Sequence, residues 1–266
     1  MKKLKVLGLA AIAAGMFSLT SCLDGGGNQQ TIPNLFAIVD YSSTMKTLLY
    51  PVGYPNQSLP LYISSIANDP TYSAGDCVIA NVQIDYDSPD NANISTTGFY
   101  VATGVASSPL AKYNLNFSSL DSTALDNELL LSGSDVGLLV SNNYKRIIAI
   151  PNFASVLTDQ KNDYTITMDY DQEPEAVDGT ERVYTLCIRA QKREEGKAPT
   201  ISNAIDPIAI EGGQFYSMLK SKESAAGKKV VNYRMKYPLT FNSDSTKIAT
   251  WGYSQISQFS IEEASN

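Results

Sequence analysis

The feature that most constrains this chain is a two-residue alternation of apolar and polar positions, repeated in short runs along the region after residue 30. Val78, Ala80, Val82, Ile84 and Tyr86 alternate with Ile79, Asn81, Gln83 and Asp85. Tyr164, Ile166, Met168 and Tyr170 repeat the pattern, as do Tyr184, Leu186, Ile188 and Ala190. Such a period puts one face of a strand in a core and the other toward polar surroundings. Further strands are expected at 35–41, 47–52, 59–66, 97–105, 113–117, 136–140, 146–150, 230–237 and 249–259, punctuated by Gly, Pro, Asn, Asp and Ser. Only 214–226 has helical spacing, with Phe215, Met218, Leu219 and Lys222 on one face and Gly227 placed to end it. The fold class is therefore all-β, as sandwich or barrel, with one short helix.

With 43% hydrophobic and 18% charged residues the chain can bury a real core. It has a formal net charge of −7, and without Lys2, Lys3 and Lys5 of the leader the remainder stands at −10. That excess of acid excludes a nucleic-acid backbone as partner and disfavours adsorption to anionic lipid. Histidine is absent, which removes the commonest general base and metal ligand. Neither a phosphate-binding glycine loop nor a zinc constellation occurs, and Ser132–Gly137 lacks the spacing of a nucleophile elbow. The chain is thus read as non-enzymatic.

Lys2, Lys3 and Lys5 precede an apolar run from Val6 to Phe17, too short to span about 30 Å of hydrocarbon and laid out as a secretory signal. Its end, Leu19-Thr20-Ser21-Cys22, resembles the lipobox of bacterial lipoproteins. That resemblance implies a signal peptide over 1–21, acylation of Cys22 and an outer-membrane location, on either the surface or the periplasmic face. Residues 22–30, with three consecutive glycines, read as a flexible tether. A low-charge Ser/Asn/Leu stretch from Leu110 to Gly133 places a domain boundary near 125–135.

The lipobox, the segment Tyr72-Ser73-Ala74-Gly75-Asp76-Cys77-Val78-Ile79-Ala80-Asn81-Val82 and the Asp163–Arg189 hairpin resemble the NigD-like lipoproteins. The resemblance implies an N-terminal OB-like barrel over 31–130 followed by a β-sandwich over 131–266. The run of acids usual after that family's lipid-bearing cysteine is here reduced to Asp24. No defined activity comes with the family.

Cys77 and Cys187 are the thiols left after Cys22, and both lie in strands. They are either two separate buried thiols or, in an oxidising envelope, a disulfide. Asp85, Asp87 and Asp90 space oxygen ligands closely enough for a structural Ca2+, as do Asp169, Asp171, Glu173 and Glu175; solvated hairpin tips are the alternative. No other cofactor is implied. The chain has sixteen Tyr, eight Phe and a single Trp. Trp251, Tyr253, Tyr50 and Tyr54 are the candidate ligand platform, because these rings pair a flat apolar face with a polar edge. The expected function is an envelope lipoprotein that binds a ligand or partner through its β-domains. The alternatives are a surface glycan-binding protein of a polysaccharide-uptake system and a pilus-type assembly subunit.

Overall fold

A computed structural model describes residues 28–54, 59–132, 136–141 and 143–261. Cys22 lies outside the described residues. The chain divides into two compact units, which part between Ala111 and Lys112.

The first unit is a closed barrel of five strands, β1 (Gln29–Tyr41), β2 (Thr47–Pro51), β3 (Leu61–Tyr62), β4 (Cys77–Asp85) and β5 (Tyr100–Ala106). They are ordered β1-β2-β3-β5-β4, with β3 and β5 parallel and the other pairs antiparallel. This is the OB arrangement. The 13-residue β1 closes it by serving two neighbours: Gln29–Ile38 pair with β4 and Ala37–Tyr41 with β2. A bulge between Ile32 and Leu35 bends the strand, and Asn34 there sits at φ +51° with its N–H held by Asn81 Oδ1 at 2.9 Å. Ile32, Leu35, Ala37, Val39, Val78, Ala80, Val82 and Ile84 fill the interior, which is the alternation read from sequence.

Three expectations are revised here. The tether does not extend to residue 30, since Gln29 and Gln30 already pair with Asp85 and Ile84. The run 59–66 holds only the two-residue β3 before a single helical turn, α1 (Ser64–Ala67), which buries Ile66. The strand expected at 97–105 starts only at Tyr100, because another turn, α2 (Ile94–Thr97), precedes it and ends on Gly98 at φ +74°.

The second unit is a curled sheet wrapped on one core. Its strands are β6 (Lys112–Phe117), β7 (Glu128–Leu129), β8 (Gly137–Ser141), β9 (Arg146–Ile150), β10 (Asn152–Thr158), β11 (Lys161–Met168), β12 (Glu175–Val177), β13 (Thr180–Glu194), β14 (Lys197–Ile205), β15 (Ile208–Glu211), β16 (Val230–Phe241), β17 (Ile248–Tyr253) and β18 (Ser257–Ser260). The short β6 makes the sandwich. Lys112–Asn114 pair with β15, whereas Leu115–Phe117 pair with β11, so one strand passes from one layer to the other. One layer runs β6-β15-β9-β8 and the other β6-β11-β13-β16-β17, with β18 beside β16; β10 and β14 form a separate two-stranded ribbon. Ile147, Ala149, Ile208 and Ile210 from the first layer meet Ile166, Tyr184, Leu186, Tyr233 and Met235 from the second. Each fully buried side chain of this size contributes about 1.5–3 kcal/mol.

The expected helix is α3 (Gly213–Ala225), and Gly227 follows it at φ +69°, in the left-handed geometry that closes a helix end. Phe215 and Leu219 enter the core, as the spacing requires. Glu223 is also buried, and there the periodicity gives no warning. Arg182 of β13 grips its carboxylate, Nη2 donating to Oε1 at 2.6 Å and Nε to Oε2 at 2.9 Å, while Tyr184 Oη donates to Oε1 at 2.7 Å. Burial pushes this carboxyl up, but the donated hydrogen bonds outweigh it and hold Glu223 below the ordinary carboxylate range.

A second ion pair fastens residues beyond β6 to the second unit. Arg189 of β13 donates Nε to Glu128 Oε1 at 2.6 Å and Nη2 to the Thr123 carbonyl at 2.6 Å. Glu128 Oε2 in turn accepts the Leu125 N–H at 2.9 Å. The pair therefore fastens residues 121–128 over the sheet, and Leu131 N–H donates to the Pro238 carbonyl further on. Residues 112–130, placed in the barrel by the sequence reading, thus belong by contact to the second unit. A low-charge Ser/Asn/Leu stretch looks like a linker in sequence; here it is a cover, satisfied by an arginine 61 residues from Glu128.

Breaking a buried pair leaves an uncompensated charge at a cost of about 3–5 kcal/mol. Glu128→Ala is therefore expected to lower the unfolding free energy, measured by urea titration, by that much, and a double Glu128→Leu, Arg189→Met variant by less. The Glu223 contribution is complete above the ordinary carboxylate range, since its folded pKa is depressed, and is lost as pH falls through the folded value. In urea titrations from pH 7 to pH 3, the gap between wild type and Glu223→Gln is expected to narrow on the acid side.

Candidate functional site

The site is built on two neighbouring strands. In β16, Tyr233, Met235 and Tyr237 are buried and point to the core, which turns the alternating Arg234 and Lys236 to the other face. In β17, Gly252 is the inward residue. A Cβ there would lie 2.4 Å from the Tyr237 ring, so only glycine lets the strand close on that ring. Its neighbours Trp251 and Tyr253 consequently share the outer face, two residues and about 7 Å apart along the strand. Register brings the sets together: Lys236 pairs with Tyr253 and Pro238 with Trp251.

The result is an interleaved row of cations and rings. The Arg234 guanidinium carbon lies 4.0 Å from the Tyr253 ring centroid, and Lys236 Nζ lies 4.2 Å from that of Trp251. Contacts of this kind contribute about 0.5–1 kcal/mol at exposed sites. Arg234 Nε also donates to Thr185 Oγ1 at 3.3 Å, and its Nη2 is 3.7 Å from a carboxylate oxygen of Glu175, a side chain that is 72% exposed. Among the described residues no carboxylate lies within ion-pair distance of Lys236. Tyr253 is 41% exposed and Trp251 half-buried. The row can stack against a flat ligand and neutralise a negative charge on it.

The structure brings together half of the expected platform. Tyr50 and Tyr54 belong to the other unit, where Tyr50 is half-buried in β2 opposite Ile38 and Tyr54 packs against the barrel core. Arg234 and Lys236 were missed, although the i, i+2 spacing of Arg-Met-Lys and Trp-Gly-Tyr marks both pairs as sharing a face. Their register is what sequence withholds.

The acidic loop serves the barrel's seam. Asp87 Oδ2 accepts the Asn28 N–H at 2.9 Å, and Asp85 Oδ2 accepts from Gln29 Nε2 at 3.2 Å. Asp90 donates its N–H to Ser88 Oγ at the start of a 3-10 turn, Pro89–Asn91. Among the described residues no group of three or more His, Cys, Asp or Glu side chains is placed to hold a metal ion. An apolar recess beside the first turn of α3, lined by Phe215, Tyr216 and Phe259, has its cations committed: Arg146 to Glu211 and Lys145 to the Tyr216 ring.

Cys77 and Cys187 are both buried, one in each unit, and no disulfide joins them. Burial pushes the Cys187 thiol up to about 11. At pH 8 it is expected to resist iodoacetamide in the folded protein and to react on denaturation, as mass spectrometry of the peptide containing Cys187 will show.

Residues 27–108, the barrel with its lead-in, match the family model described as Lipoprotein OB domain. Over these residues the chain is similar to the OB domain of lipoproteins, and the five-stranded barrel is the fold that the match describes. An uncharacterized protein from Parabacteroides merdae, known from its crystal structure, is 74% identical, with a TM-score of 0.78 over 88% of this chain and 100% of its own. This chain belongs to the same family as that protein. A candidate lipoprotein from Bacteroides fragilis shares the fold at 12% identity, with a TM-score of 0.52 over 89% of this chain and 99% of its own. No curated protein matches the chain.

Proposed function

We propose that this protein is a non-enzymatic lipoprotein of the outer membrane, anchored through acylated Cys22 and related to the NigD-like proteins. In this reading its second unit binds a ligand through the outer face of β16 and β17. The observation that carries the reading is the row Arg234, Tyr253, Lys236 and Trp251, which sets two partly buried cations over two partly exposed aromatic rings on an otherwise acidic chain. A partly exposed tryptophan beside an exposed tyrosine on one sheet face offers aromatic surface for stacking, and the flat apolar face of a sugar ring suits it. A glycan is therefore the ligand class favoured over an envelope protein, and the assembly-subunit alternative has no comparable support.

Metabolic palmitate labelling is expected to mark the wild type, while Cys22→Ser stays unlabelled and leaves the membrane pellet. On a glycan array, Trp251→Ala is expected to lose binding while keeping the wild-type melting temperature. Silence of the wild type across diverse polysaccharides would remove the glycan reading.

A further inference from the structure

We infer that the β16–β17 face recognises an acidic saccharide, one whose sugar rings carry carboxylates, with Lys236 as the residue that selects for the charge. The inference rests on the ligand-binding reading above and deepens it.

Three observations support it. First, charge complementarity is local and specific. The chain after its leader stands at −10, yet this face carries two cations two residues apart on β16, with the Glu175 carboxylate 3.7 Å from Arg234. Second, the two cations are not equivalent. Arg234 is held by Thr185, by the Tyr253 ring and by Glu175, whereas Lys236 rests on the Trp251 ring with no carboxylate within ion-pair distance among the described residues. Its ammonium is therefore the group with spare donors for an incoming anion. Third, the aromatic residues are periodic, at alternate positions of β17. Trp251 and Tyr253 leave one strand at backbone positions about 7 Å apart, so that each can meet a different ring of a saccharide chain. An acidic peptide would satisfy the cations but has no repeating flat apolar face to lay on both rings.

Glu175 sharpens the prediction. It reaches Arg234 at 3.7 Å from a mostly exposed position, so it competes with any ligand carboxylate for that guanidinium. Removing its charge should strengthen binding of an acidic ligand and leave a neutral one unaffected.

Because Trp251 is the only tryptophan, its fluorescence reports this face alone. The experiment titrates the full mature chain with oligogalacturonate and, separately, with its methyl ester, which keeps the sugar shape and removes the charge. Oligogalacturonate is expected to give a saturable change in Trp251 emission that weakens as salt is raised. Lys236→Gln is expected to lower affinity at least tenfold and Glu175→Gln to raise it two- to fivefold, both with unchanged melting temperature. The gain in Glu175→Gln cannot come from misfolding. Equal binding of the ester overturns the acidic-ligand inference and leaves the glycan-binding reading standing. Response to an acidic peptide but to neither saccharide overturns both. No change in emission with oligogalacturonate, at any salt, overturns the inference.

Discussion

The ion pair of Arg189 with Glu128 governs the second unit, because it decides which part of a sheet meets solvent. A strand buried on its core face alone would expose Thr185, Cys187 and Arg189 on the other. Instead the guanidinium takes the Glu128 carboxylate and the Thr123 carbonyl together, and pins residues 121–128 across that face. Arg189 and Cys187 are thereby buried although they alternate with core residues. Such a pair repays its desolvation only when its remaining donors and acceptors are used, and the Leu125 N–H and Thr123 carbonyl supply that here.

The cover extends toward the edge of the sheet. Thr123 bridges Lys247, and the Ile248 N–H donates to the Ser122 carbonyl, so the segment seals the start of β17. Trp251 and Tyr253 follow at the other end of that strand and keep exposed surface. The ring-and-cation row is thus what remains of the outer face once the cover is in place. Its position follows from the clamp.

Much of this was legible in the sequence, for physical reasons that also mark where reading stops. Alternation at 78–86, 164–170 and 184–190 found strands because one buried face imposes a period of two. The helix was legible through Phe215 and Leu219 and through Gly227. Strands β10 and β14 were not, since their ribbon buries little: Lys197–Thr200, Ser202 and Asn203 are exposed, and no alternation is imposed on them. The run 249–259 read as one strand, but Ser254 interrupts it by turning its hydroxyl to the Met235 N–H and the Gln255 carbonyl, giving β17 and β18. The domain boundary was misplaced because contacts such as that of Arg189 with Glu128 join residues far apart in sequence. The site was half visible: Trp251 and Tyr253 stood out as aromatic, but the cations over them come from a register that composition does not encode.

A β-sheet face that carries aromatic rings can do so for packing or for recognition, and the two make different demands on neighbouring charge. Packing calls for apolar cover, as the Tyr113 and Tyr164 rings receive from each other at 5.4 Å. On β16 and β17 the cover consists of Arg234, which Thr185 and Glu175 also hold, and Lys236, whose ammonium keeps donors for another partner. Gly252 adds the same lesson from the core side. The strand gives up a side chain so that the Tyr237 ring can fit beneath it, and this places Trp251 and Tyr253 outward at fixed spacing. A core that sets two rings on a rigid lattice, beside a lysine without a carboxylate partner among the described residues, has the rigidity that recognition of a repeating ligand requires.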